Sequence, residues 1–213
     1  MAQVWSVVVA GGSGQRFGTL KQFALLAERP VVEWAVAACR ASSSGVVLVL
    51  PAGEVGPMDF GADVVVEGGA TRTQSVCRGV GAVPETAEVI VVHDAARPLA
   101  SEDLFRAVIA AVTTDGAGGA VPGVPVSDTI KVVDGSQRVT ATLDRAALVA
   151  VQTPQAFDAV LLRRAHANGA EATDDAALVE ALGATVRVVP GDARNLKITT
   201  PADLDTAEHL LRG

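Results

Sequence analysis

Residues 7–23 read VVVAGGSGQRFGTLKQF. An apolar run breaks into glycines, and Arg16 and Lys21 follow. Glycines let backbone N–H groups approach phosphate oxygens closely. Two cations beside such a nest would hold a phosphate chain. The same residues could also form a tight strand-to-helix turn with two surface cations. Two known loop templates fail here. A dinucleotide loop needs GxGxxG, but Phe17 stands where the third glycine belongs after Gly12 and Gly14. Its acid, due about 20 residues on, should end the second strand. Glu33 instead lies in a helical pattern, and the second strand ends in LPAG. A Walker A loop needs GK followed by Ser or Thr, whereas Lys21 sits between Leu20 and Gln22.

Two further motifs carry similar chemistry. GGATRTQSV (68–76) is a second glycine turn with hydroxyls and an arginine, and VVHDAARPL (91–99) ends an apolar run with an acid, small residues and an arginine. In an open parallel sheet, ligands bind outside the carboxyl ends of the strands. All three motifs fall at such ends, which predicts one shared crevice. SDTIK, LDR, TPQ, TDD and NLKITTP follow in order. The three lysines, Lys21, Lys131 and Lys197, all lie in or beside these motifs. In a chain that uses arginine for nearly all its positive charge, that placement makes each lysine more informative.

The elements that must position these residues are legible as valine-rich runs: VWSVVVA, VVLVLP, ADVVVEG, EVIVVHD, GAVPGVPV and TVRVVP. Each is short, β-branched and nearly continuous, as in strands buried on both faces of a parallel sheet. Helical patterns at 31–41, 71–83 and 101–112 lie between them, the last opening on SED, a serine cap with acids in the first turn. The alternation predicts an α/β, doubly wound, mostly parallel Rossmann-like sheet, with residues 1–213 as a single domain. Residues 128–143 break the rhythm and read as two strands around a DG turn. A hairpin is marginal alone, so it is either an edge decoration or an arm that pairs with another subunit.

A net charge of −7 argues against general nucleic-acid binding. No apolar run reaches membrane-span length. Residues 1–12 lack a basic leader and read as mature sequence. Cys39 and Cys77 have neither disulfide-framework nor metal spacing and are expected to be buried thiols. These features point to the cytoplasm.

Together AGGSGQR…LKQF, GGATRTQSV, VHDAARP, SDTIK, DRAAL…QTPQAF, TDDAALVE and NLKITTPADL resemble the 2-C-methyl-D-erythritol 4-phosphate cytidylyltransferases, from about residue 4 to residue 211. The set of motifs narrows the resemblance to that branch and its ribitol-phosphate relatives. It implies a nucleotide-diphospho-sugar transferase type of fold. The reaction implied is attack of a polyol phosphate on the α-phosphorus of CTP, with Mg²⁺ as cofactor. The resemblance makes Arg16, Lys21, Arg145 and Lys197 the catalytic cations. It assigns nucleotide contacts to Ala10, Gly11, Gly12, Gly14, Gly69, Arg72, Ser75, Asp94 and Ala95. Polyol phosphate contacts would come from Asp94, Arg97, Thr129, Arg145, Thr153, Thr173 and Lys197. Thr173 could instead cap the helix that follows, and Thr129 could serve only the hairpin. Residues 128–151 would be an arm embracing a second subunit in a homodimer. No metal ligand is assigned. A ribitol-5-phosphate cytidylyltransferase is the nearest alternative. A non-catalytic nucleotide-binding regulator on this fold is the alternative of another class, disfavoured because Arg16, Lys21 and Lys197 are all present. The loop before Lys21 is about two residues shorter than in several family members, and position 70 is Ala where some have an acid.

Overall fold

The structure is a computed structural model, and it describes residues 2–11 and 20–212. Gly12, Gly14 and Arg16 lie outside the described residues.

Strand β1 (Val4–Val9) starts the chain's sheet, and β2 (Leu25–Leu26) and β3 (Arg29–Pro30) form a small separate hairpin. Next come α1 (Val31–Arg40), β4 (Gly45–Leu50), β5 (Val64–Glu67), α2 (Arg72–Gly81) and β6 (Val89–Asp94). The chain continues through α3 (Glu102–Thr113), β7 (Gly119–Pro125), β8 (Lys131–Val133), β9 (Val139–Thr142), β10 (Val149–Val151) and β11 (Gln155–Asp158). Helices α4 (Ala159–His166) and α5 (Asp175–Glu180), strand β12 (Val186–Pro190) and helix α6 (Pro201–Arg212) complete it.

The main sheet runs β10-β7-β11-β6-β1-β4-β5, with β12 also on β7. The pairs β6-β1, β1-β4, β4-β5 and β12-β7 are parallel, while β10 and β11 run antiparallel to their neighbours. The expected mostly parallel, doubly wound sheet is therefore present. Successive strand residues serve opposite faces. Val8, Val46, Leu48, Leu50, Val89 and Val91 pack on the side of α1 and α3, whereas Val7, Val47, Val49, Ile90 and Val92 pack on the side of α2 and α4. This two-sided burial is why the runs read as continuous valine rather than as alternation.

Helix α2 lies close against the sheet because it has a glycine there. A Cβ on Gly79 would come within 2.4 Å of Val7 Cγ1 and 2.8 Å of Val49 Cγ2. The approach fixes the helix axis, and with it the start of α2 over the strand ends. Thr71 caps α2, its hydroxyl accepting from Gln74 N, and Ser101 caps α3 in the same way through Leu104 N.

Three expectations need correction. Cys39 is buried, but Cys77 is exposed, because it lies on the side of α2 turned from the sheet. The cap of α5 is Asp174, not Thr173: the Asp174 carboxylate accepts from Ala177 N. The hairpin does form, but its connection is wider than a two-residue DG turn. Residues 134–138 make the loop, in which the Asp134 carboxylate accepts from the N–H groups of Ser136 and Arg138. The last residues of the 128–151 segment are β10, on the edge of the main sheet. Among the described residues, no helix is long and apolar enough to cross a membrane.

Candidate active site

The strand ends meet as the topology requires. Ala10 and Gly11 follow β1, residues 69–71 follow β5, and Asp94 and Ala95 end β6. With Lys21, Arg72, Ser75 and Lys197 they line a crevice of about 450 Å³. Backbone bonds close the floor: Ala10 N donates to Val49 O (2.8 Å) and Ala95 N to Val9 O (3.0 Å). The second glycine turn is tight, since a Cβ on Gly69 would lie 2.3 Å from Gln74 Cβ. The Ser75 hydroxyl braces this turn, donating to Thr71 O (2.8 Å) and accepting from Gly69 N (3.1 Å).

Asp94 is the one carboxylate among the described residues lining this crevice, and it is nearly buried. Burial by itself would favour its neutral form. The Lys197 ammonium 2.6 Å away and the Arg72 guanidinium at 3.4 Å outweigh burial and hold its pKa down at about 2. Arg72 is held in turn. Its own burial disfavours the charge, but Asp175 and Asp94 more than compensate and raise its pKa. Lys21 sits on a 3-10 turn (Lys21–Phe23), and its Nζ donates to Ile198 O at 2.9 Å, beside Lys197 in the chain.

A second cleft of about 250 Å³ adjoins the first and shares Arg72, Asp94 and Lys197 with it. Arg97, Thr153 and Thr173 also line this cleft. Thr153 arrives there because the strand along β7 is interrupted. Residues 152–154 separate β10 from β11, and only Gln152 N keeps the ladder, donating to Pro122 O (2.8 Å). The freed Thr153 hydroxyl accepts from Asp94 N (3.0 Å) and lies 3.2 Å from His93 Nδ1. His93 Nε2 lies 3.1 Å from Arg97 O, which can only accept. The proton therefore sits on Nε2, and Nδ1 accepts from the Thr153 hydroxyl. Burial keeps this imidazole neutral, with its pKa pushed down to about 4. His93 is thus a rivet under the DAAR segment, with no access to a reacting atom.

The lysine segment is stitched to the same point. Ile198 N donates to Ala96 O (2.8 Å), Arg97 NH1 to Asn195 O (2.7 Å), and Asn195 Nδ2 to Thr153 O (2.9 Å). The sequence reading missed His93, Gln152, Asn195 and Asp175 as site residues. Thr129 and Arg145 line neither cleft; Arg145 is exposed on the arm, donating to Ser127 O. Lys131 donates to Thr142 Oγ1 across the hairpin (2.7 Å).

No group of three or more His, Cys, Asp or Glu side chains placed to hold a metal occurs among the described residues. One carboxylate in a crevice lined by cations fits Mg²⁺, which is held largely by phosphate oxygens and water. The site can therefore neutralise and orient a polyanion, and among the described residues its lining offers no histidine or thiol for proton transfer.

The family model described as IspD, 2-C-methyl-D-erythritol 4-phosphate cytidylyltransferase, matches residues 4–213. A protein of that description from Nostoc punctiforme is 39% identical, covering 98% of each chain. The bifunctional enzyme IspD/IspF of Clavibacter michiganensis is 44% identical over 96% of this chain and 53% of its own. The crystal structure of 2-C-methyl-D-erythritol 4-phosphate cytidylyltransferase from Thermus thermophilus superimposes with a TM-score of 0.82 at 40% identity, covering 97% of this chain and 98% of that one.

Proposed function

The chain belongs to the 2-C-methyl-D-erythritol 4-phosphate cytidylyltransferase family, and from that membership we propose how its residues perform the transfer. It is a nucleotidyltransferase of the methylerythritol phosphate route to isoprenoids, acting on CTP and a polyol phosphate. An oxygen of the polyol phosphate attacks the α-phosphorus of CTP in line, and pyrophosphate leaves from the opposite side. A phosphate monoester has a second pKa of about 6, so the nucleophile is ionised near neutrality and needs no general base. Positioning and charge neutralisation carry the catalysis.

The observation that carries this reading is the convergence of Lys21, Arg72 and Lys197 on one crevice around an ionised Asp94. CTP lies over Ala10, Gly11 and Gly69, with its triphosphate toward Lys21. The polyol phosphate enters the adjoining cleft beside Arg97, Thr153 and Thr173. Lys197, common to both clefts, places the attacking phosphate against the α-phosphorus. Asp94 is the residue that would hold a Mg²⁺ ion, which would supply further neutralisation of phosphate charge.

Arg145 and Thr129 act in this scheme from a second copy. The arm exposes Val132, Val133, Val139, Leu143, Val149 and Val151. Covering them in a homodimer would bring each arm to the partner's cleft. The setting is the cytoplasm, where free thiols such as Cys39 and Cys77 persist.

The pH dependence of turnover tests the mechanism. With CTP saturating, kcat/KM for methylerythritol phosphate should rise with the ionisation of that phosphate and stay level to pH 9. A further limb that belongs to the protein and vanishes with one residue would contradict it.

A further inference from the structure

Arg72 lines both clefts, yet its closest carboxylate comes from outside them. Arg72 NH1 lies 2.9 Å from Asp175 Oδ2, in an ion pair without hydrogen-bond alignment. Its Nε and NH2 stand 3.4 Å from Asp94 Oδ1. Asp175 itself is 1% exposed and lines neither cleft, and its Oδ1 faces His166 Nε2 at 3.1 Å. The loop before it is fastened to the same helix end. Thr71 Oγ1 donates to Glu171 Oε1 (2.8 Å), and Ala172 N donates to Thr73 Oγ1 (3.4 Å).

A buried carboxylate is costly unless a charge answers it, and Arg72 is that charge. Of the two groups facing Asp175, His166 and Arg72, Arg72 is the one with a permanent charge. The guanidinium is shared unequally, nearer to Asp175 than to Asp94. The other oxygen of Asp94 is thereby left to Lys197 at 2.6 Å.

We propose that Asp175 is a positioning residue, which holds the Arg72 guanidinium between the two clefts and off Asp94, so that Lys197 stays the close cationic partner of Asp94. Without the Asp175 charge, Arg72 closes on Asp94 and competes with Lys197. The site also gains one net positive charge, which strengthens binding of the triphosphate. The proposal rests on the site roles given above.

Kinetics of the wild type, Asp175→Asn, Arg72→Met and the double variant, with thermal melting of each, form the test. Asparagine keeps an acceptor toward His166. Asp175→Asn should lower kcat about tenfold with KM for CTP unchanged or lower, and should add nothing in the Arg72→Met background. Asp175→Glu should recover most of the lost turnover. Independent losses in the double variant, a rise in KM alone, or a loss that merely follows the melting temperature would overturn the role. An Arg72→Met chain with wild-type kinetics would defeat the site roles themselves, and the proposal with them. If Asp175→Asn does not fold, Arg72→Lys carries the test. Lysine cannot span both carboxylates, so kcat should fall at unchanged KM for CTP, and unaltered turnover would overturn the proposal.

Discussion

Lys197 Nζ lies 2.6 Å from Asp94 Oδ2, although 103 positions separate the two residues. The pair joins the end of β6 to the lysine segment at the boundary of the two clefts. It holds Asp94 ionised, with a pKa of about 2, through the whole range in which the protein would work. Substituting Lys197→Met removes the partner of Asp94 and, in the proposed mechanism, the cation that orients the attacking phosphate. Turnover should fall by about two orders of magnitude or more, with a much smaller change in KM for CTP. Steady-state kinetics with each substrate varied would check this.

Lys21 should behave as a transition-state group. Its ammonium is anchored on Ile198 O, next to Lys197, and faces the crevice. Lys21→Ala is expected to lower kcat far more than it weakens CTP binding. Equilibrium CTP titration beside turnover separates the two effects. Unchanged turnover would remove the assignment.

His93 links stability to pH. Its folded pKa, near 4, is below the ordinary 6.5, so the unfolded chain takes up a proton that the folded chain refuses. The stability contribution is complete above pH 6.5 and is lost as pH falls toward 4, amounting to about 2 kcal/mol by pH 5. His93→Gln should be less stable at pH 7, and should lose less than the wild type between pH 7 and pH 5. Denaturant melts at both values test the sign.

These three groups show what the sequence could and could not disclose. The valine-rich runs of β1, β4, β6 and β7 were legible because those strands are largely buried, which leaves a nearly continuous apolar run, while β5 and β12, half-buried or exposed, were legible from their β-branched residues. Strand β11 was not: Gln155 and Asp158 interrupt the pattern, and its antiparallel place between β6 and β7 depends on partners far back in the chain, Val89–Val92 on one side and Gly119–Ala120 on the other. Arg72 and Asp94 stood out as charges in motifs at strand ends, and Lys21 and Lys197 as scarce lysines in motifs, and the fold brings all four together. His93 and Asp175 did not stand out as site residues, because their roles come from burial and from partners distant in the chain. Cys77 was misjudged for the same reason, since helix position alone does not say which face meets the sheet. Arg145 and Thr129 were marked by motif, but a single chain leaves them away from both clefts.

That separation yields a prediction for the arm. An Arg145→Ala chain and a Lys21→Ala chain should each be nearly inactive alone. Mixed dimers should recover up to about a quarter of wild-type activity, the share expected of one intact site in a hybrid that makes up half of a random mixture. Mixing after dissociation, followed by assay, measures this. Complete failure to recover activity in verified hybrids would place Arg145 in its own chain's site.

The most direct measurement is pyrophosphate release by the purified chain, with each of the four ribonucleoside triphosphates paired with methylerythritol 4-phosphate and with ribitol 5-phosphate. Release should be rapid only for CTP with methylerythritol 4-phosphate and should be lost in Lys197→Met. No release from that pair, or equal release when Lys197 is replaced, would contradict a crevice that works by placing cations around a transferring phosphorus.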